Sequence, residues 1–567
     1  MILILQSSTG PETNIESIRA LDEQIEEGKG DTIKLKRARN SLLNISTRVS
    51  PEVLGNIFFW IVARNRNHSL TSGTHFGGLE KGSHNFLLVC HRWFEVASNI
   101  PELWSLWGNT LEDWNRRCHR SGDAPADLVL DGNASHPEGA LNTPLQNALR
   151  DRVTEDKVRQ IHLRCDNLNL LAFIFSSLIP ERDARPLSVE SIILWTTKTI
   201  PELSNFFARS RLPNLRYLHI IGMLQTPLWD HLTLSQTTRL TTLSLRLAGS
   251  SHLPTTSQLR SILNSNPNLR ELELSDAALP DETDESEAGV SLQHLKTIAL
   301  AGKSRRVLGL LRWLELPAAL DYFQLSLDHP TVEEDVSQTV GQYMRGHLQR
   351  DIRFQGRLAV ASFRGYVDIC VGQAGNQPEH PPWPERPSTR FTVSIIAQPQ
   401  DPLTKQLTLD LVALVPRERV VSFKTEYALG VPEELFVTMP NIETLCLHDA
   451  VLADGFLQPT PDGPHANTKL FPSLRSLLFW HVNADNTGWD PLTTYLAHQT
   501  SGGQTISIEL MGYCSYLPPR VAKQIRGQVE KFVYDPITDV GDSDEDENEG
   551  DEDYDEDELE GGEDDVE

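Results

Sequence analysis

Cysteine is scarce, with six in 567 residues: Cys90, Cys118, Cys165, Cys370, Cys446 and Cys514. None forms a Cys-x-x-Cys pair, so the spacing excludes a zinc ribbon and a disulfide scaffold. Reduced thiols in the cytosol or nucleus are the expectation. Long apolar runs are missing too. The longest, Ile57 to Ala63, falls far short of the ~20 residues that a spanning helix needs, so no membrane partner is expected. The opening Met-Ile-Leu-Ile-Leu-Gln lacks a basic n-region and a small-residue cleavage site, which argues against a signal peptide. Positive charge is in deficit: 51 Lys+Arg against 78 Asp+Glu give −27. Residues 541–567 hold 18 acidic and no basic side chains, so the first 540 residues carry only −9. A net-acidic body argues against nucleic acid as a partner.

Apolar residues are plentiful at 39%, enough for sizeable cores. Length fits three or four units or one elongated array. Residues 1–44 read as a leader and an amphipathic helical segment. Ile18, Leu21, Ile25, Ile33, Leu35, Leu42 and Leu43 are apolar, and Gly28 and Gly30 interrupt the run. Without sustained heptads this is a short hairpin or an exposed helix rather than a coiled coil. Ser50-Pro51-Glu52 is a helix start, with a hydroxyl cap, proline in the first turn and an acid after it. Val53, Leu54, Ile57, Phe58 and Ile61 form one face, but Phe59, Trp60 and Val62 spread the apolar surface nearly all round, so burial on more than one side is expected. Arg64 to Gly82 reads as a loop and His84 to Ser98 as a second helix. Ile100 to Trp104 reads as a turn and Trp107 to Arg120 as a third helix.

Three runs in this segment point to a family. Val49-Ser50-Pro51-Glu52-Val53-Leu54-Gly55-Asn56-Ile57-Phe58 resembles the first helix of an F-box, with Val49-Ser50 where Leu-Pro is usual. Val89-Cys90-His91-Arg92-Trp93-Phe94-Glu95-Val96-Ala97 resembles its second signature, and Pro101-Glu102-Leu103-Trp104 its close. Residues 15–130 are similar to F-box-like proteins of basidiomycete fungi. The resemblance implies an all-α F-box-like module over residues 45–130 that docks on the adaptor of a cullin–RING ubiquitin ligase. Pro51, Leu54, Ile57, Phe58, Val89 and Trp93 would supply the apolar, aromatic adaptor patch.

The rest of the chain repeats. Apolar residues at positions one, four and six recur at Val158-Ile161-Leu163, Val189-Ile192-Leu194, Leu215-Leu218-Ile220, Leu240-Leu243-Leu245, Leu269-Leu272-Leu274 and Leu295-Ile298-Leu300. They return at Ile442-Leu445-Leu447 and Leu474-Leu477-Phe479, with Ile506-Ile508-Leu510 as a weaker copy. The first six start 25–31 residues apart, around the leucine-rich-repeat period of about 20–29. Pro213 to Arg216, Pro267 to Arg270 and Pro472 to Arg475 open units, and helical stretches such as Leu259 to Leu263 and Val307 to Leu314 lie between. The fold class expected is α/β: the helical module, then a leucine-rich-repeat-like solenoid over residues 131–535, then a disordered acidic tail at 541–567. Residues 321–430 blur the period. Asp351 to Gly372 and Arg390 to Val415 read as β-rich there, around a proline-rich stretch from Gln373 to Arg386.

Alternate strand residues face opposite sides, so positions three, five and seven should face outward. That puts Ile193, Trp195, Tyr217, His219 and Ile221 on adjacent strands as an apolar target-binding patch. The same rule exposes Gln160, His162, Arg164, Ser191 and Ser244, and later Leu478 and Trp480. Chemistry is sparse. Gly302-Lys303-Ser304 follows a strand, but Thr297 stands where a phosphate-binding loop needs its first glycine. Cys90 reads as a buried structural thiol, and His119 sits among Arg116, Arg117 and Arg120, an unfavourable place for a cation. Neither a cofactor nor a metal nor an enzyme activity is expected. The expected role is therefore a substrate receptor binding the adaptor, with its cullin, and an unidentified target protein. The competing role is a repeat scaffold without ligase assembly. The tail reads as a solvated extension, or else as a dock for a basic partner or a screen for the protein's own basic surfaces.

Overall fold

The computed structural model describes residues 11–536 apart from 27–30, 43–48, 72–90, 108–118, 132–157, 165, 167, 180–185, 199–200, 224–228, 231, 233–237, 249–252, 282–288, 318–319, 332–334, 351–355, 364–365, 374–388, 397–401, 427–438, 452–470, 485–487, 502, 504 and 515. Expectations for Val89, the proline-rich stretch and the acidic tail lie outside the described residues. The chain is mixed α/β and divides into two compact units, Met1–Pro416 and Arg417–Glu567.

The first unit opens with helices α1 (Pro11–Glu26) and α2 (Thr32–Leu42). They pack on each other as a hairpin, joined by an ion pair from Arg39 to Asp22. The Asp31 carboxylate caps α2, accepting from the Ile33 and Lys34 N–H groups at 3.1 and 3.3 Å. Helix α3 (Pro51–Thr71) starts where Ser50-Pro51-Glu52 predicts, and the Ser50 hydroxyl accepts from Val53 N–H at 3.4 Å. It runs through Arg64 to Thr71, where the residues point to a loop. No glycine or proline stands between Gly55 and Gly73 to break it. Helix α4 (His91–Ser98) and a 3-10 turn (Pro101–Trp104) follow. Trp107, expected in a helix, instead belongs to the short strand β1 (Leu106–Trp107) and pairs with Leu128.

The elements that follow are β2 (Ala126–Asp131), β3 (Val158–Arg164), α5 (Leu168–Leu178), β4 (Ser191–Thr196), α6 (Pro201–Arg209), β5 (Tyr217–Met223), β6 (Thr242–Ala248), α7 (Thr256–Ser265), β7 (Glu271–Asp276), β8 (Val290–Ser291), β9 (Thr297–Lys303), α8 (Ser304–Trp313), β10 (Leu314–Glu315), β11 (Tyr322–Asp328), α9 (Val336–Arg350), β12 (Gly356–Phe363), β13 (Tyr366–Gln373), β14 (Thr389–Ile396) and α10 (Pro402–Ala413). Strands β1 to β7, β9, β11 and β14 line up side by side, all parallel. Strands β13 and β12 extend them in antiparallel register, while β8 and β10 pair separately. Arg390 to Val415 is thus a strand followed by a helix, not β throughout. Pro402 stands at the first helical position, and Leu407 and Leu411 recur four residues apart on the buried side.

Among the described residues the second unit has five parallel strands in chain order: β15 (Val420–Glu426), β16 (Thr444–Val451), β17 (Ser476–Asn483), β18 (Ser507–Cys514) and β19 (Lys531–Pro536). Helix α11 (Asp490–Ser501) precedes β18, and helix α12 (Pro519–Gln528) connects β18 to β19.

The nine apolar clusters all fall at strands with the expected side inward, and none of their residues is more than 2% exposed. Burying one such side chain is worth ~1.5–3 kcal/mol. In the first unit the facing helices add Leu171, Ile174, Phe175, Leu203, Phe206 and Phe207, with Phe175 and Phe206 ring centroids 5.4 Å apart. A backbone ladder ties each repeat to the one before. Arg216 and Tyr217 N–H both donate to Glu190 O, Thr241 and Thr242 to Arg216 O, Arg270 and Glu271 to Thr241 O, and Lys296 and Thr297 to Arg270 O. Buried Asn266 adds a side-chain clamp. Its carbonyl accepts from Leu240 N–H at 2.9 Å while its amide donates to Ile262 O at 2.8 Å.

Candidate partner-binding surfaces

The first surface is built on α3. Leu54 and Phe58 point into a small core with Ala97, Leu103 and Trp104, and Val49, Trp93, Val96 and Ile100 pack around it. Phe58 meets Trp93 edge to face at 5.2 Å. The Trp104 indole donates to Ala97 O at 2.9 Å and carries the Arg120 guanidinium 4.3 Å above its ring. Arg92 donates to Val49 O at 2.6 Å, tying the start of α3 to α4. Gly55 lets the turn approach, since a Cβ there would stand 2.9 Å from Ile100 Cδ1.

This geometry corrects the sequence expectation. Leu54 and Phe58, assigned to the adaptor patch, are core at 1% and 0% exposure. Trp93 is half-buried against Phe58, while Pro51 and Ile57 are exposed. The outward stripe is Val53, Ile57 and Trp60, exposed by 49%, 41% and 61%. At 100° per residue these three lie within an arc of about 60°. Sequence reasoning missed Val53 and Trp60 as its members. The i, i+4, i+7 spacing was the available signal, but α3 is apolar on nearly every side.

The second surface is the strand face opposite the core in the first unit. Pairing aligns its residues into rows across β3 to β7. One row is Gln160, Ser191, Tyr217, Thr242 and Glu271; the next is His162, Ile193, His219, Ser244 and Glu273; the third is Arg164, Trp195, Ile221, Arg246 and Ser275. Tyr217 is 48% exposed, and Ile193, Trp195, His219 and Ile221 are half-buried. The structure therefore brings the five predicted residues together on three rows of β4 and β5. Arg164 stacks over Trp195 at 4.8 Å. Farther along, Glu273 accepts from Ser244 and Arg246, both at 2.6 Å.

His162, Ser191 and Ser244 belong to this face but are not solvent-facing as expected, being 4%, 5% and 3% exposed. The two serines are shorter than the side chains that flank them in the rows, Gln160 and Tyr217 for Ser191, His219 and Glu273 for Ser244. His162 Nε2 and Ser191 Oγ lie 3.2 Å apart, yet a serine so enclosed is not presented to a substrate. His219 has its pKa lowered, first by burial and then by Arg246, with Glu273 opposing.

In the second unit Leu478 is 5% exposed rather than open. Trp480 and His448 stack at 6.2 Å with ring planes 9° apart. The β17–β18 pairing slips between Trp480 and Val482, and His481 at the slip has φ 59°. Such a bulge re-aims a side chain. The His481 ring meets His448 edge to face at 5.2 Å.

The Gly302-Lys303-Ser304 run makes no phosphate cradle. Strand β9 passes directly into α8, and buried Ser304 donates to Asp328 O at 2.8 Å. Among the described residues no group of three His, Cys, Asp or Glu is placed to hold a metal, and no helix is long and apolar enough to cross a membrane. No protein-family model matches the chain, and no curated protein matches it significantly.

Proposed function

We propose that the protein is a substrate-recognition subunit of a cullin–RING ubiquitin ligase. An F-box-like segment binds the adaptor, and a leucine-rich-repeat-like solenoid of residues 131–535 binds the protein to be modified. The chain itself performs no covalent step. It acts by proximity, holding target lysines at high local concentration beside the ubiquitin-carrying enzyme. The observation that carries this reading is the outward stripe Val53–Ile57–Trp60 on the helix that opens with Ser50-Pro51-Glu52. An exposed apolar patch of this kind is what a partner covers. The regular ladder between successive repeats, and the Trp195–Tyr217 face on them, support the target-binding half. Cys370 and Cys446 are in no disulfide, in keeping with a cytosolic or nuclear setting.

A second reading is a repeat scaffold with no ligase assembly. It is favoured by Leu54 and Phe58 being spent on the segment's own core. The exposure of Phe59 and Trp60 weighs against it. Affinity purification of the full chain from its native cell separates the two. Adaptor and cullin should co-purify with the wild type and be lost from Ile57→Asp with Trp60→Ala. Absence of both from the wild type leaves the scaffold.

A further inference from the structure

The end of the second unit places a basic helix beside the root of an acidic chain. Strands β18 and β19 run parallel, so α12, which joins them, runs the opposite way. Its first turn therefore lies where the strands finish, and β19 delivers residue 536 to that same end. Helix α12 contains no acidic residue. Arg520, Lys523 and Arg526 are exposed and spaced by three, a diagonal stripe on one side of the helix, while Ile525 anchors the helix in the core at 0% exposure. Lys531 nearby is held by Glu509 at 2.7 Å, whereas among the described residues Arg520 and Lys523 have no acidic partner. Arg526 rests over the Phe532 ring at 5.6 Å, with its charge still in solvent.

Past β19 the chain carries 18 acidic and no basic residues over 541–567. Residues 537–541, fully extended, reach about 17 Å, and α12 is only about 15 Å long. Asp539 lies within that tether, and the first carboxylates of the tail proper, Asp542, Asp544 and Glu545, can reach every cation of the stripe. A tether this short holds them at an effective concentration in the millimolar range. Contact also relieves the repulsion among the tail's own charges.

We propose that the acidic tail, residues 541–567, docks on the Arg520–Lys523–Arg526 stripe of α12. The dock requires neither the ligase adaptor nor a target.

The test is limited proteolysis of the full chain with an aspartate-specific protease, beside an Arg520→Glu, Lys523→Glu, Arg526→Glu variant in the same buffer. At ~20 mM salt the variant's tail should be cut about tenfold faster, the factor expected if docking is about tenfold tighter than the effective concentration requires. The difference should vanish at ~0.5 M salt, where screening acts within a few ångströms. Amide exchange over 519–528 should be faster in a chain ending at Val540 than in the full chain. Equal cleavage of wild type and variant at low salt, or tail-dependent protection of α12 that survives charge reversal, overturns the proposal. If reversal exposes the β18 and β19 amides, Arg520→Gln with Lys523→Gln replaces it and the same cleavage ratio decides.

Discussion

The Arg164 guanidinium lies 4.8 Å from the centre of the Trp195 indole, one strand away in the same row. A cation held over an indole is worth about 0.5–1 kcal/mol at an exposed site, so the pair fixes the ring's plane without dominating stability. Trp195→Ala with Tyr217→Ala should leave the fold intact, lose bound target proteins and keep the adaptor. Quantitative co-purification checks this, and retention of both classes of partner would move the target surface elsewhere.

Leu54→Ala should cost about 2–5 kcal/mol in the α3–α4 core, whereas Val53→Ala on the same helix should stay within about 0.5 kcal/mol. Protease resistance of residues 49–104 in the full chain reports the difference. Equal sensitivity of the two variants would contradict the inward and outward faces described.

Gly512 has φ 75°, and a Cβ placed on it would stand 2.5 Å from His481 Cδ2. Gly512→Ala therefore meets both the left-handed penalty and a close approach to the His481 ring. A loss of about 2–4 kcal/mol in the second unit is expected. His481→Gly should recover part of it, and denaturant unfolding of the double variant measures that coupling.

His219 is held below its ordinary pKa of 6.5, chiefly by burial, with Arg246 adding to the shift and Glu273 opposing it. The unfolded chain then binds a proton before the folded one does. Stability is complete above about pH 6.5 and declines as pH falls from there toward the lower native value. His219→Gln should flatten this part of the profile. Denaturant midpoints between pH 5 and 8 test it, and an unchanged slope would show that His219 does not carry it.

The repeating part of the fold was readable because each strand declares itself locally. A residue such as Leu218 or Leu272 needs only its own alternation to be assigned inward, and neighbouring units supply the same pattern. Ser50-Pro51-Glu52 likewise marked its helix start within three residues. The stripe of α3 that faces solvent was not readable, because a helix apolar nearly all round has no preferred side until Leu103, Trp104 and Ala97 arrive to cover Leu54 and Phe58. Trp107 became a strand only through pairing with Leu128, twenty-one positions away. Enclosure of His162 and Ser191 depends on neighbours from other strands, and the His481 bulge on the room that Gly512 leaves. The sequence alone determined periodic burial, helix starts and the acidic tail, because each follows from residues adjacent in the chain. Tertiary structure decided which apolar surface stays outside, because that choice rests on contacts between distant segments.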